Sequence, residues 1–133
     1  MAEPVLQVEH LKFVFNKGKK EKITAIDDVS FKIDAGSTLC VVGESGCGKS
    51  VTATSILQLM PKSLGYIESG SIKLNGRELT SMSSKELRKI RGNKISMIFQ
   101  EPMSSLNPVY RIGDQMIELI RAHRKISKAE AKK

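Results

Sequence analysis

One stretch of the 133-residue sequence gathers residue types that do chemistry together. Gly43-Glu44-Ser45-Gly46-Cys47-Gly48-Lys49-Ser50 fits the pattern G-x-x-x-x-G-K-S/T, in which a glycine-rich loop runs from a strand into a helix and surrounds a polyphosphate. Gly43, Gly46 and Gly48 let the backbone take dihedrals that other residues resist. Successive N–H groups of the loop, with Glu44, Ser45 and Cys47 between the glycines, can then turn inward and add to the positive end of the following helix. Lys49 would neutralise β and γ phosphate oxygens, and Ser50 would offer its hydroxyl to a Mg²⁺ ion bridging the same phosphates. Cys47 lies where a helix amino terminus and Lys49 both favour the thiolate. A reactive thiol shielded by Mg-nucleotide is expected there; the plain alternative is an inert small side chain facing inward.

Such a loop needs a strand before it and a helix after it. Thr38 to Val42, TLCVV, is a short apolar run without alternation, which reads as a strand covered on both faces. From Ser50 to Met60 the spacing of Val51, Ser55, Ile56 and Leu59 predicts a helix that Pro61 stops. Upstream, residues 5–15 and 23–33 read as antiparallel strands, joined by a turn over Asn16 to Lys22, with an interruption at Asp27 and Asp28 and a turn at Asp34-Ala35-Gly36. Downstream, residues 66–74 return to a strand-like pattern ended by the Asn75-Gly76 turn. Ser83 with Glu86 forms a capping box for a helix to about Arg91. Ile95 to Phe99, ISMIF, is a second unalternating apolar run, expected beside TLCVV in one buried sheet. Gln100 to Arg111, with Pro102, Asn107 and Pro108, predicts an exposed loop. A helix then starts near Gly113, carries an apolar stripe of Met116, Ile117, Leu119 and Ile120, and fades near Ile126. Ser127 and Glu130 offer one more capping box, with barely one turn of sequence after it. A chain cut where an element begins is the expectation, since an isolated turn is far below the ~12 residues at which helices become marginal.

Composition narrows the function. The length suits one domain; 40% hydrophobic and 27% charged residues describe a chain that folds in water, without the run of about 18 apolar residues that a membrane span needs. No basic flank leads into an apolar stretch at the amino terminus, so a cytoplasmic location is expected. The net charge of +8 raises the question of nucleic acid. Its whole excess lies in two clusters, Lys17 to Lys22 and Arg121 to Lys133. With six aromatics and no Trp, the chain lacks the interleaved stacking residues of a single-strand binder, so no nucleic-acid partner is expected. The clusters read as solvated surface, or as a basic face near anionic lipid. Cys40 and Cys47 have no zinc or redox spacing, and His10 and His123 have no ligand at a regular offset.

Two stretches, VVGESGCGKSVT and IFQEPMSSLNPVYRIGDQ, give the sequence its likeness to a known family, with weaker similarity in AIDDVSFKIDAG. It resembles the ATP-binding subunits of ABC transporters, in particular the dipeptide, oligopeptide and nickel importer group. The resemblance implies an α/β P-loop NTPase core of the ABC type, incomplete here, beside an amino-terminal antiparallel β subdomain. Residues 1–133 would be the amino-terminal part of one nucleotide-binding domain. It implies ATP and Mg²⁺ as cofactors and an ATPase that pairs head to tail with a homologous or sister subunit. That ATPase would lie peripherally on the cytoplasmic face of the membrane and drive a permease, with a solute-binding protein engaged indirectly. Gln100 would be the Q-loop glutamine that touches Mg²⁺ or the attacking water, and Gln100 to Arg111 the contact with a cytoplasmic helix of the permease. Phe15 matches the aromatic that stacks on adenine, with Phe13 as its rival. Val51 stands where many relatives carry Thr, so its backbone N–H remains for the α-phosphate while the side-chain contact is gone.

The LSGGQ motif, the Walker B carboxylates and the switch histidine are not found, so this piece is expected to hydrolyse little or nothing by itself. Peptide is the expected solute, with nickel or another metal chelate as the alternative. A non-hydrolysing nucleotide-binding or docking fragment is the reading from another class. A P-loop kinase or GTPase is disfavoured by the 42 mostly β residues before Gly43 and by the lack of an NKxD guanine reader.

Overall fold

The computed structural model describes residues 4–17, 21–101 and 105–132. Its elements are β1 (Leu6–Lys17), β2 (Glu21–Ile33), α1 (Lys49–Ile56), β3 (Gly65–Leu74), β4 (Arg77–Glu78), α2 (Ser84–Ile90), α3 (Ile112–His123) and α4 (Lys128–Ala131). Contacts divide the chain into two compact units, Met1–Leu87 and Arg88–Lys133.

The first unit is built on an antiparallel sheet in the order β2-β1-β3-β4. In β1 the buried residues run Leu6, Val8, then Leu11, Phe13 and Val14, so the period-two alternation changes phase. His10 causes the change: its φ of 49° makes it the extra residue of a bulge, and the β1–β2 register shifts between Val8 and Leu11. Its neighbours bend with it. Asp28 in β2 has φ 53° and takes the His10 ring Nδ1 at 2.6 Å. Gly70 in β3 has φ 106°, and a Cβ there would lie 2.6 Å from the His10 carbonyl. The interruption expected at Asp27 and Asp28 is therefore a bulge inside one continuous strand. Asn75 (φ 48°) and Gly76 (φ 73°) close the β3–β4 hairpin, as a two-residue loop with both positions left-handed requires.

The core comprises Leu6, Val8, Leu11, Phe13, Val14, Ile26, Ile72, Leu74 and Leu79, with Leu57 from the end of α1 and Leu87 from α2. Helix α1 is shorter than the sequence pattern suggests. Gln58 turns left-handed at φ 47°, and the amides of Gln58 and Leu59 donate back to the carbonyls of Ser55 and Thr54 at 3.0 and 3.1 Å, a Schellman ending. The Gln58 side-chain amide reaches the Leu79 carbonyl at 2.6 Å, which fixes the end of the helix over the sheet.

Two expected strands are not formed. TLCVV is irregular and exposed, and ISMIF is irregular and only partly covered at Ile95 and Met97, with Val42 85% and Ile98 89% exposed; of the second, only Ile95 makes a bridge, to Arg91. A strand of a buried parallel sheet draws its stability from ladders on both edges and from covered faces. Among the described residues neither segment has them.

In the second unit α3 buries Ile117, while Met116, Leu119 and Ile120 of its stripe face solvent. The helix stops at His123, three residues before Ile126, because Arg124 is extended at φ −129°. Helix α4 starts at the capping box of Ser127 and Glu130, and Lys128 pairs with Asp114 of α3 at 3.0 Å. The capping box at Ser83 and Glu86 opens α2 as expected. Pro102 and the turn residues Gly18 to Lys20 lie outside the described residues.

Candidate functional site

Helix α1 begins in a way that ordinary helices avoid. Its N-cap is Gly48 at φ 95°, no side chain caps its first amides, and its first turn holds no acidic residue but does hold Lys49. The contrast with α4, which carries a complete capping box, is chemical: the open end of α1 keeps its partial positive charge for an external anion.

The loop leading into it is held from behind. A Cβ on Gly48 would lie 2.9 Å from the carbonyl oxygen of Ala25 and 3.9 Å from Cγ1 of Ile26, so the backbone of the loop rests directly on β2. Gly46 is also left-handed, at φ 83°, but faces open space. Gly43 lies against Cys47, whose Sγ would be 2.6 Å from a Cβ placed there. Within residues 43–48 a single backbone hydrogen bond is made among the described residues, from the Cys47 N–H to the Glu44 carbonyl at 3.4 Å. The amides of Glu44, Ser45, Gly46 and Gly48 are left uncommitted.

Lys49 folds back over this loop. Its ammonium donates to the carbonyls of Gly43 (2.7 Å) and Glu44 (2.6 Å) and lies 3.5 Å from the Cys47 sulfur. Two carbonyl dipoles thus hold this cation against the loop. The exposed hydroxyl of Ser50 makes no hydrogen bond among the described residues. A free hydroxyl oxygen beside the loop is a hard donor that fits Mg²⁺. The backbone of Ser50 accepts from the Thr54 hydroxyl at 2.9 Å, which steadies the first turn. The Val51 carbonyl accepts from Ser55 (2.7 Å) and Thr54 (3.0 Å), leaving its amide end toward the loop.

Residues 26–133 match the family described as ABC transporter. The chain belongs to that family. The oligopeptide transport ATP-binding proteins AppD and OppD of Bacillus subtilis (strain 168) are 51% identical over 128 residues and 46% identical over 129. The alignments cover 96% and 97% of this chain, but 39% and 36% of those relatives; the ABC chain described here thus spans well under half their length. A dimeric ATP-binding cassette, MJ0796, in a post-hydrolysis state bound to ADP and Pi, superposes with a TM-score of 0.79. It does so at 22% identity, over 96% of this chain and 52% of its own. The fold is that of part of an ABC cassette, an antiparallel four-stranded sheet with helices and an incomplete α/β core.

The other sequence-picked residues of this ABC chain fall in two places. Phe13 is buried in the core at 2% exposure, whereas Phe15 is half-buried, its ring edge-on to Phe13 at 5.4 Å. Phe15 pairs with Ile23 of β2, two residues from the Ala25 carbonyl that backs Gly48, or about 7 Å along the strand. Gln100 belongs to the second unit and is exposed. Ala25 was not a sequence candidate, and nothing in its type marks a carbonyl that supports a loop on another segment. Gln115 was missed for the same reason. Its side-chain amide holds the loop before α3: its Oε1 accepts from the Asn107 N–H at 2.9 Å, and its Nε2 donates to the carbonyls of Asn107 (2.9 Å) and Tyr110 (3.0 Å).

Proposed function

We propose that Gly43 to Ser50 is the phosphate-binding loop of an ATP site, and that the chain is the ATP-binding part of an energising subunit for peptide import. The observation that carries this reading is the uncapped, acid-free start of α1 preceded by free amides, with Lys49 stored on the loop's own carbonyls. The names of AppD and OppD support oligopeptide as the solute class.

Each residue then has a task. Glu44, Ser45, Gly46 and Gly48 present their uncommitted main-chain amides to the β-phosphate, Gly43 and Cys47 complete the loop, with the Cys47 amide first leaving the Glu44 carbonyl, and the Val51 amide serves the α-phosphate. Lys49 exchanges the Gly43 and Glu44 carbonyls for β and γ oxygens, so its charge is spent only when a triphosphate is present. Phe15 offers the face of its ring to adenine, which its half-buried position permits and the buried Phe13 cannot. Ser50 would offer its hydroxyl to Mg²⁺, which when bound neutralises charge building on the transferred phosphoryl group, and Gln100, in the second unit, is the Q-loop glutamine of the family resemblance. Gln100 to Arg111 forms the contact with the permease, and a second ATP-binding subunit completes the site from the opposite side, peripheral to the membrane. Among the described residues no helix is long and apolar enough to cross a bilayer.

Titration calorimetry with Mg-ATP tests the reading. Binding that Lys49→Ala weakens at least tenfold supports it, and equal affinity of the two proteins refutes it. Hydrolysis is measured on the complete subunit, where turnover abolished by Lys49→Ala supports an energising role, and binding without turnover leaves the docking role instead.

A further inference from the structure

Asn107 to Tyr110 forms a turn in which nearly every inward backbone group is used. The Val109 N–H donates to the Asn107 side chain at 3.0 Å, and the Tyr110 N–H donates to the Asn107 carbonyl at 3.3 Å. Pro108 has no N–H to satisfy and fixes its own φ. The remaining groups, the Asn107 N–H and the carbonyls of Asn107 and Tyr110, all go to one side chain, the amide of Gln115. Gln115 lies in the first turns of α3, so the loop is fastened to the helix at both ends of the turn by a group that donates and accepts at once.

The result is an outward display. With its polar backbone engaged inward, the turn presents Leu106, Val109, Tyr110 and Ile112 to solvent, Val109 at 84% and Tyr110 at 65% exposure. A flexible loop would lose conformational freedom when these side chains seat in a partner, whereas a loop already fixed avoids most of that cost. We propose that Gln115 is the positioning residue of the permease contact: its amide makes the turn 107–110 part of α3, so that loop and helix move as one body when nucleotide state is passed to the permease. This rests on the reading of Gln100 to Arg111 as the permease contact. Only an amide meets the requirement, since a carboxylate can accept from Asn107 but has no hydrogen for either carbonyl.

The test uses the complete subunit assembled with its permease. It reads the ratio of permease-stimulated to basal ATP hydrolysis, and hydrogen exchange at the Asn107 amide. Gln115→Ala is expected to lower the ratio about tenfold and to speed exchange at Asn107 about tenfold or more. Gln115→Glu, which keeps one of the three bonds, should fall between it and the parent. Val109→Asp, which spoils the displayed surface and not the clamp, should lower the ratio while leaving exchange unchanged. A ratio kept within twofold by Gln115→Ala while Val109→Asp loses it overturns the positioning role and leaves the permease reading intact. If neither variant changes the ratio, the permease reading itself fails. Unchanged exchange in Gln115→Ala also overturns the proposal, and should that variant not fold by circular dichroism, Gln115→Glu decides.

Discussion

Adding one methyl group to Gly48 should damage nucleotide binding more than adding it to Gly46, although both glycines are left-handed. A non-glycine residue in that region costs about 1–2 kcal/mol, and both variants bear it. Only Gly48→Ala meets a second obstacle, the Ala25 carbonyl at 2.9 Å. That oxygen cannot retreat easily, because Thr24 and Ile26 on either side are paired with Val14 and Phe13. A further 1–2 kcal/mol is a reasonable order for such crowding. At about 1.4 kcal/mol per factor of ten, Gly46→Ala should lose roughly 5- to 30-fold in Mg-ATP affinity and Gly48→Ala roughly 30- to 700-fold. Calorimetry on both, with circular dichroism to show that the sheet is intact, measures the difference. Equal losses, or a Gly48→Ala protein that binds as the parent does, would refute the claim that β2 shapes the loop.

Other expectations follow from the same geometry. Burial would raise the Glu78 carboxyl, but hydrogen bonds from Ser71, from Thr80 and from the Ile72 and Thr80 amides outweigh it and hold the carboxyl down from 4.5 to about 2. At about 1.4 kcal/mol per unit, discounted because the group is only partly buried, this is worth roughly 2 kcal/mol. Because the folded value is depressed, that stability is full above pH ~4.5 and is lost as pH falls toward 2. Urea midpoints at pH 7 and pH 2.5 should therefore converge for Glu78→Gln relative to the parent, and a constant gap would contradict the assignment. Gly65→Ala should destabilise the first unit by roughly 1–3 kcal/mol, since its Cβ would lie 2.7 Å from both the Phe13 ring and the Val14 carbonyl; an unchanged urea midpoint would contradict close packing of Phe13 against Gly65. Replacing Val42 and Ile98 with Lys should raise the concentration at which the chain stays monomeric in light scattering, because both are now unpaired apolar surface; no change would mean that these segments do not drive association.

What the sequence made legible is what short stretches decide. Two capping boxes, the Asn75-Gly76 hairpin and the glycine loop each depend on residues within a few positions of one another, and all three kinds of feature are in the structure. The order of β1 and β2 was readable, but the cause of their irregularity was not. His10 lacks the glycine or asparagine that advertises a left-handed residue, and its bulge exists because Asp28 and Gly70 on two other strands bend with it. Likewise TLCVV and ISMIF have the composition of buried strands, but a parallel strand is completed by distant segments, and this chain spans 39% of AppD. The choice between Phe13 and Phe15 needed burial, which period two could not supply across a shifted register. Gln115 carries no local motif at all, since its three partners lie five to eight residues upstream in a loop.

Phosphate contact by the loop amides is reported atom by atom in their resonances. In a ¹⁵N-labelled sample titrated with Mg-ATP, the amides of Gly46, Gly48, Lys49 and Ser50 should shift downfield together and saturably, and Lys49→Ala should suppress the shifts. Saturable shifts confined to α3 and α4, with the loop amides unmoved, would contradict it.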